Sequence, residues 1–237
     1  MSGELITVFG GSGFLGRYVV RNLCRAGYRV RVAVRKPHLA GDQRLAGDVG
    51  QVQIVQANVR NRPSIQRALE GASGVINLVG ILFERGQQTF EGTQGLGAKN
   101  VAELAAEAGI TNFVQLSAIG ADAESEAEYA RTKAAAEADV RQYMPSAAIV
   151  RPSIIFGPED DFFNRFASMA RFTPALPLIG GGETKFQPIF VGDVADAVVK
   201  ALQSDAANGR TFEIGGPAVY TFKEILEYIT KEIDRPR

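Results

Sequence analysis

The sequence has one cysteine, one histidine and no tryptophan. A lone Cys24 cannot close an internal disulfide, and its place beside Leu23 in an amphipathic stretch reads as a buried apolar thiol. With His38 as the only histidine, a Ser-His-Asp hydrolase or a His/Cys metal site has almost nothing to work with, so no metal is expected. An excess of charge of one sign is missing too. The 26 Lys and Arg balance 26 Asp and Glu, which leaves no net field to recruit nucleic acid or an anionic membrane. No apolar run approaches the ~20 residues of a helical membrane span, and no basic-then-apolar leader opens the chain. A cytoplasmic or equivalent reducing compartment is the expectation, with peripheral attachment at an inner membrane left open.

Glycine, by contrast, is plentiful and concentrated at informative places. An apolar run, Leu5-Ile6-Thr7-Val8-Phe9, ends in Gly10-Gly11-Ser12-Gly13-Phe14-Leu15-Gly16, and an amphipathic segment follows at once. This is a strand, a tight turn and a helix start. Read as Gly10-x-x-Gly13-x-x-Gly16, it suits a dinucleotide diphosphate. Absent side chains let phosphate approach the main chain, and the helix N-terminus supplies amide donors and a partial positive charge. Gly10, Ser12, Gly13, Phe14, Leu15 and Gly16 are therefore candidate cofactor-binding residues.

Strand and helix signals then alternate. Strands are expected at Tyr28–Val34, Val52–Gln56, Gly74–Gly80, Asn112–Ser117 and Ala147–Arg151, with helices at Arg62–Leu69, Thr89–Ala108 and Ala127–Gln142. No hairpin signal interrupts them, which is the pattern of an α/β doubly wound parallel sheet of the Rossmann type. Beyond Pro152 the texture changes: Gly157-Pro158, Pro174, Pro177 and Gly180-Gly181-Gly182 break the chain into short pieces. The expected organisation is a nucleotide-binding domain over 1–151 and a small C-terminal substrate or partner lobe over 152–237. In that lobe Phe186–Val191 reads as a strand, Gly192–Leu202 as a helix, Thr211–Ile214 as a strand and Phe222–Ile233 as a helix, with residues around 192–214 packing back on the first domain.

The tips of these strands carry the chemistry. Where an acidic residue would bind a free ribose 2′-hydroxyl, about 20 positions past the fingerprint, Arg35 stands, followed by Lys36. A guanidinium pairs with a 2′-phosphate that a carboxylate would repel, so NADP(H) is favoured over NAD(H). Asn58 either hydrogen-bonds adenine, with Val59 packed on the ring, or makes a turn. Leu78, Val79 and Gly80 should lie beneath the cofactor ribose. Tyr129 and Lys133, four apart on one helical face, set an ammonium near a phenol. That pairing is expected to pull the tyrosine pKa down toward the working pH, and Ser117 at the preceding strand tip can hold the reacting oxygen. The acidic run Glu159-Asp160-Asp161 reads as helix capping rather than metal binding. Gln187-Pro188 faces either a substrate cleft or a partner.

The glycine fingerprint, Ser117, Tyr129-x-x-x-Lys133 and Arg151-Pro152-Ser153-Ile154-Ile155-Phe156-Gly157-Pro158 together resemble the extended and atypical short-chain dehydrogenase/reductase superfamily, over essentially the whole chain. The resemblance implies a Ser-Tyr-Lys triad. Tyr129 would be the acid/base and Lys133 would orient the nicotinamide ribose. Ser117 would hold the substrate oxygen, with Pro152 and Ser153 near the nicotinamide carboxamide. The runs RPSIIFGPEDDFFNRFA and LPLIGGGETKFQPIFVGDVADAV are similar to the NAD(P)H-binding accessory subunits of respiratory complex I and their bacterial relatives, which implies complex I subunits as partners. Members of that group continue well past this C-terminus, so a C-terminally shortened chain is expected. Two alternatives stand beside the accessory or assembly role: a free-standing NADPH-dependent reductase, epimerase or dehydratase, and a redox-sensing regulator that binds nucleotide without turnover.

Overall fold

The computed structural model describes residues 3–173 and 175–235; Pro174, one of the expected breaks, lies outside them. Runs rich in β-branched residues alternate with amphipathic segments and fold as β1 (Leu5–Phe9), α1 (Phe14–Arg25), β2 (Arg29–Val34), β3 (Val52–Gln56), α2 (Arg62–Leu69), β4 (Gly74–Asn77), α3 (Leu96–Glu107), β5 (Asn112–Leu116), α4 (Glu128–Tyr143) and β6 (Ala148–Pro152). The shorter elements that follow are β7 (Ile155–Phe156), α5 (Phe162–Phe172), β8 (Lys185–Phe186), β9 (Ile189–Phe190), α6 (Val191–Gln203), β10 (Thr211–Ile214), β11 (Tyr220–Thr221) and α7 (Phe222–Glu232).

Seven strands form one sheet in the order β10-β6-β5-β4-β1-β2-β3, parallel at every pairing, as the alternation of elements predicts. Its central strands β1 and β4 are buried on both faces. Val19, Val20 and Leu23 of α1 and Val194, Val198 and Leu202 of α6 fill one side. Ile65 of α2, Val101 and Leu104 of α3 and Val140 of α4 fill the other. The helices α1 and α6 are also tied directly, the Asn22 amide donating to Asp196 Oδ1 at 2.7 Å. Strand order reverses between β1 and β4, so the tips of these neighbours diverge and leave a crevice at the carboxyl edge.

The region after Pro152 refines the sequence expectation at one place and departs from it at another. Thr211–Ile214, within the 192–214 stretch expected to pack back on the first domain, is the outermost strand of the main sheet, registered against Ile149–Pro152. The strand expected over Phe186–Val191 is instead two short strands. Lys185–Phe186 pairs with β11 and Ile189–Phe190 pairs with β7, and the chain changes partners at Gln187-Pro188, where proline has no N–H for a ladder. Gln187 Nε2 donates to the Gly216 carbonyl at 2.6 Å, so this segment is bound to the loop after β10. The lobe has its own aromatic core, Phe162, Phe166, Phe186 and Phe222, closed by Ile225, Leu226 and Ile229 of α7. A reciprocal Thr221–Glu224 capping box starts α7. The capping expected of the acidic run is performed by Asp160, whose Oδ1 accepts from Phe163 N at 2.6 Å.

Candidate functional site

The glycine turn is shaped by steric necessity. Gly10 has φ +80°, a conformation L side chains rarely adopt, and a Cβ on Gly16 would lie 2.3 Å from the Gly10 carbonyl oxygen and 2.6 Å from the Gly11 carbonyl carbon. Only glycine lets α1 seat this closely on β1. Gly13 is the N-cap of α1 and offers no side-chain cap, so the first-turn amides of the helix have no partner of that kind.

Above this turn runs a groove of about 240 Å³ at the switch point. Its walls take Gly10, Ser12 and Gly13 from the turn, Arg35 from the tip of β2, Asn58, Val59 and Arg60 from beyond β3, and Leu78, Val79 and Gly80 from beyond β4. Nine of the candidate cofactor residues thus meet in one place, with Arg60 added to them. Phe14, Leu15, Gly16, Lys36, Pro152 and Ser153 do not line this stretch. Leu15 is buried in the core and Lys36 is exposed. The backbone of Pro152 and Ser153 is engaged with Ile119 and Ile214 at the tip of β6. Asn58 makes the turn, its Oδ1 accepting from Arg60 N at 3.1 Å, and it lines the groove as well. The fourth strand ends at Asn77, three residues before the expected Gly80, because Asn77 Oδ1 takes the Val79 N–H at 3.2 Å while its amide donates to Gln115.

Beyond Gly80 the surroundings become buried and polar. Lys133 of α4 is 4% exposed, and a Cβ on Gly80 would sit 3.3 Å from its Nζ. Burial lowers the Lys133 ammonium to about 8, against a smaller opposing pull from Glu137. Glu137 itself is paired by Arg151, which donates to it at 2.8 and 2.7 Å. Tyr129 stands one turn earlier, with Lys133 Nζ 5.8 Å from its ring centroid and Phe90 edge-on to it at 5.7 Å. The expectation that this ammonium holds the phenol below its ordinary pKa is not met. Burial raises the Tyr129 pKa instead, so the group is a neutral phenol at neutral pH. Ser117 Oγ, at the tip of β5, is buried without a hydrogen-bond partner.

Two residues of this region escaped the sequence reading. The helix expected from Thr89 opens with a π-helical turn, Glu91–Gly95, that buries Thr93 and Gln94. Thr93 Oγ1 and Gln94 Nε2 are unpartnered, and Gln94 Oε1 lies 3.8 Å from a Cβ built on Gly80. The one signal was the glycine spacing in this stretch. A Cβ on Gly97 would come within 2.7 Å of Val59, so glycine there brings α3 against the groove. The arrangement joins an anion-accepting turn, a cationic rim and a buried group of proton-bearing side chains.

Residues 6–215 match the family model described as the NAD dependent epimerase/dehydratase family. Among curated proteins, the chain is 41% identical over 234 residues to NADH dehydrogenase [ubiquinone] 1 alpha subcomplex subunit 9, mitochondrial, of Arabidopsis thaliana, covering 96% of this chain and 57% of that protein. The Mus musculus protein of the same name is 38% identical, with 97% and 61% covered. The chain thus spans about three fifths of the length of these relatives. Among solved structures, an epimerase from Methanothermobacter thermautotrophicus superposes with a TM-score of 0.82 over 99% of this chain and 78% of that one, at 20% identity, which is a likeness of fold.

Proposed function

Because the chain belongs to the NAD dependent epimerase/dehydratase family, we propose that it is a nicotinamide-dinucleotide-binding accessory or assembly component of a respiratory NADH:quinone oxidoreductase, preferring NADP(H) to NAD(H). The observation that carries this reading is the 41% identity across 96% of the chain to a mitochondrial NADH dehydrogenase subunit. On this reading the diphosphate rests on the Gly10–Gly13 turn and Arg35 pairs with the 2′-phosphate. Leu78, Val79 and Gly80 underlie the nicotinamide-side ribose, and the lobe after Pro152 faces substrate or partner. Among the described residues no helix is long and apolar enough to cross a membrane. Native protein purified in mild detergent should bring subunits of that oxidoreductase with it and release NADP(H) on denaturation. Recovery without those subunits would overturn the partner, and release of NAD(H) alone would overturn the cofactor preference.

A second reading, an NADPH-dependent reductase, is favoured by the buried, unpartnered Ser117 Oγ, taken together with the Tyr129–Lys133 pair. NADPH would supply hydride. A phenol kept neutral by burial is suited to donate its proton to a carbonyl oxygen held by Ser117, and Lys133 would hold the ribose. A carbonyl-substrate screen following nicotinamide absorbance should then show turnover that Tyr129→Phe abolishes. Equal rates in both proteins would remove the triad role.

A further inference from the structure

Among the described residues, the groove lining carries positive charge and no carboxylate. Arg35 and Arg60 are its only charged lining residues. Neither enters a salt bridge among the described residues. They stand beyond the tips of paired strands, β2 and β3, and both reach the same piece of chain. That piece is a tight reversal closed by Arg85 and Gln88, which exchange backbone hydrogen bonds at 3.0 and 3.1 Å. Arg35 donates to Gln88 Oε1 and Arg60 donates to the Gln87 carbonyl. The Arg60 stem passes over Gly92 of the π-helical turn, its Cδ 3.8 Å from where a Cβ would stand, and its backbone N–H is fixed by Asn58.

We propose that Arg60 is a second specificity-determining residue. With Arg35 it forms a two-guanidinium receptor for a phosphate monoester on the adenosine ribose, and the Gln87-Gln88 reversal holds both forks in place. The proposal rests on the nucleotide reading above and adds to it a residue that the fingerprint logic does not supply. Each guanidinium has five N–H donors, and the reversal engages it through a single neutral acceptor, so most of the donors stay available. A monoester carries close to two negative charges and three terminal oxygens, which two planar forks match better than one. A free 2′-hydroxyl calls for an acceptor carboxylate, and none lines the groove.

The test measures binding of 2′,5′-ADP and 5′-ADP by calorimetry, which leaves the nicotinamide end out of the comparison. Wild-type protein, Arg35→Ala, Arg60→Ala, Arg60→Lys and Gln88→Glu are compared, with melting curves to establish folding. Arg60→Ala is expected to weaken 2′,5′-ADP by about 10-fold or more, as for loss of a charge-assisted hydrogen bond, and to leave 5′-ADP within about 3-fold. Arg60→Lys should retain part of the discrimination. Gln88→Glu, which sets a carboxylate against Arg35, should lower 2′,5′-ADP affinity selectively. If Arg60→Ala leaves the preference intact while Arg35→Ala removes it, the Arg60 assignment falls and the NADP(H) reading stands. If wild-type protein binds the two ligands equally, the NADP(H) preference falls and takes this inference with it. Should Arg60→Ala fail to fold, full discrimination in both Arg60→Lys and Gln88→Glu would overturn the assignment.

Discussion

The two ends of the groove are built on opposite principles. At the outer end, Arg35 and Arg60 stand in water, held by a polar reversal of chain. Toward the inner end, around Gly80 and the tip of β5, Lys133, Gln94, Thr93 and Ser117 are buried, and three of these four keep a polar atom without a partner. An exposed guanidinium costs little to maintain and discriminates ligands by charge. A buried ammonium and orphaned polar atoms cost stability, and such costs are characteristic of sites where groups are held ready for a ligand. Changes at the outer end should therefore alter binding with little effect on stability. Changes at the inner end should alter both, in opposite directions.

The strongest test of this contrast strikes the turn both ends share. Gly16→Ala places a methyl against backbone atoms of Gly10 and Gly11, which cannot rotate aside as a side chain can. A loss on the order of 3 kcal/mol in chemical denaturation is expected, together with loss of nucleotide binding at either end. Unchanged stability would mean that α1 can back away from β1, and the rigid-turn account would fail.

Lys133→Met should do the reverse to stability. The folded pKa lies near 8, below the ordinary lysine value of 10.5, so the unfolded chain binds the proton more tightly. The cost is fully present below about pH 8 and fades as pH rises toward 10.5, where both states are neutral. At pH 7 methionine should stabilise the fold by an amount on the order of 3 kcal/mol, and the gain should shrink steadily between pH 8 and 10.5. Ribose-dependent nucleotide affinity should fall at the same time. A stability difference that stays constant across that pH range would remove the buried-charge explanation.

At the outer end, Arg35→Ala is expected to weaken NADP binding by roughly 1 to 3 kcal/mol while leaving NAD binding and the melting temperature nearly unchanged. Titration of both nucleotides into both proteins checks it. Equal losses for the two would mean that Arg35 does not read the phosphate.

How much of this was legible in the sequence follows the same division. The parallel sheet and its helices could be read because their signals are local: β-branched runs, amphipathic spacing, and a glycine turn whose residues touch one another. Arg35 could be read because its position follows from the end of β2. The partnership of Arg60 with Gln87 could not, since 27 positions separate them and the contact is made by a backbone carbonyl that any residue could supply. That Thr211–Ile214 packs back by joining the main sheet could not be read, because its pairing partner, β6, is some 60 residues earlier, and pairing distance leaves no mark on composition. The direction of the Tyr129 pKa was misjudged because helical spacing reveals a neighbouring charge while burial depends on the whole fold, and burial prevailed.

Ser117→Ala is the smallest effect and the one that separates structure from chemistry most cleanly. A hydroxyl buried 4% exposed with no partner gives the fold nothing, so its removal should leave stability unchanged or raise it by up to about 1 kcal/mol. A serine that served only packing or a hidden structural bond would instead cost about that much when truncated. The accompanying test is the one proposed for turnover: if the hydroxyl is kept for a substrate oxygen, carbonyl reduction should fall with Ser117→Ala even as the melting temperature holds or rises. A protein that loses stability with this change would show the inner end to be ordinary core, and the contrast with the arginine rim would then reduce to depth alone.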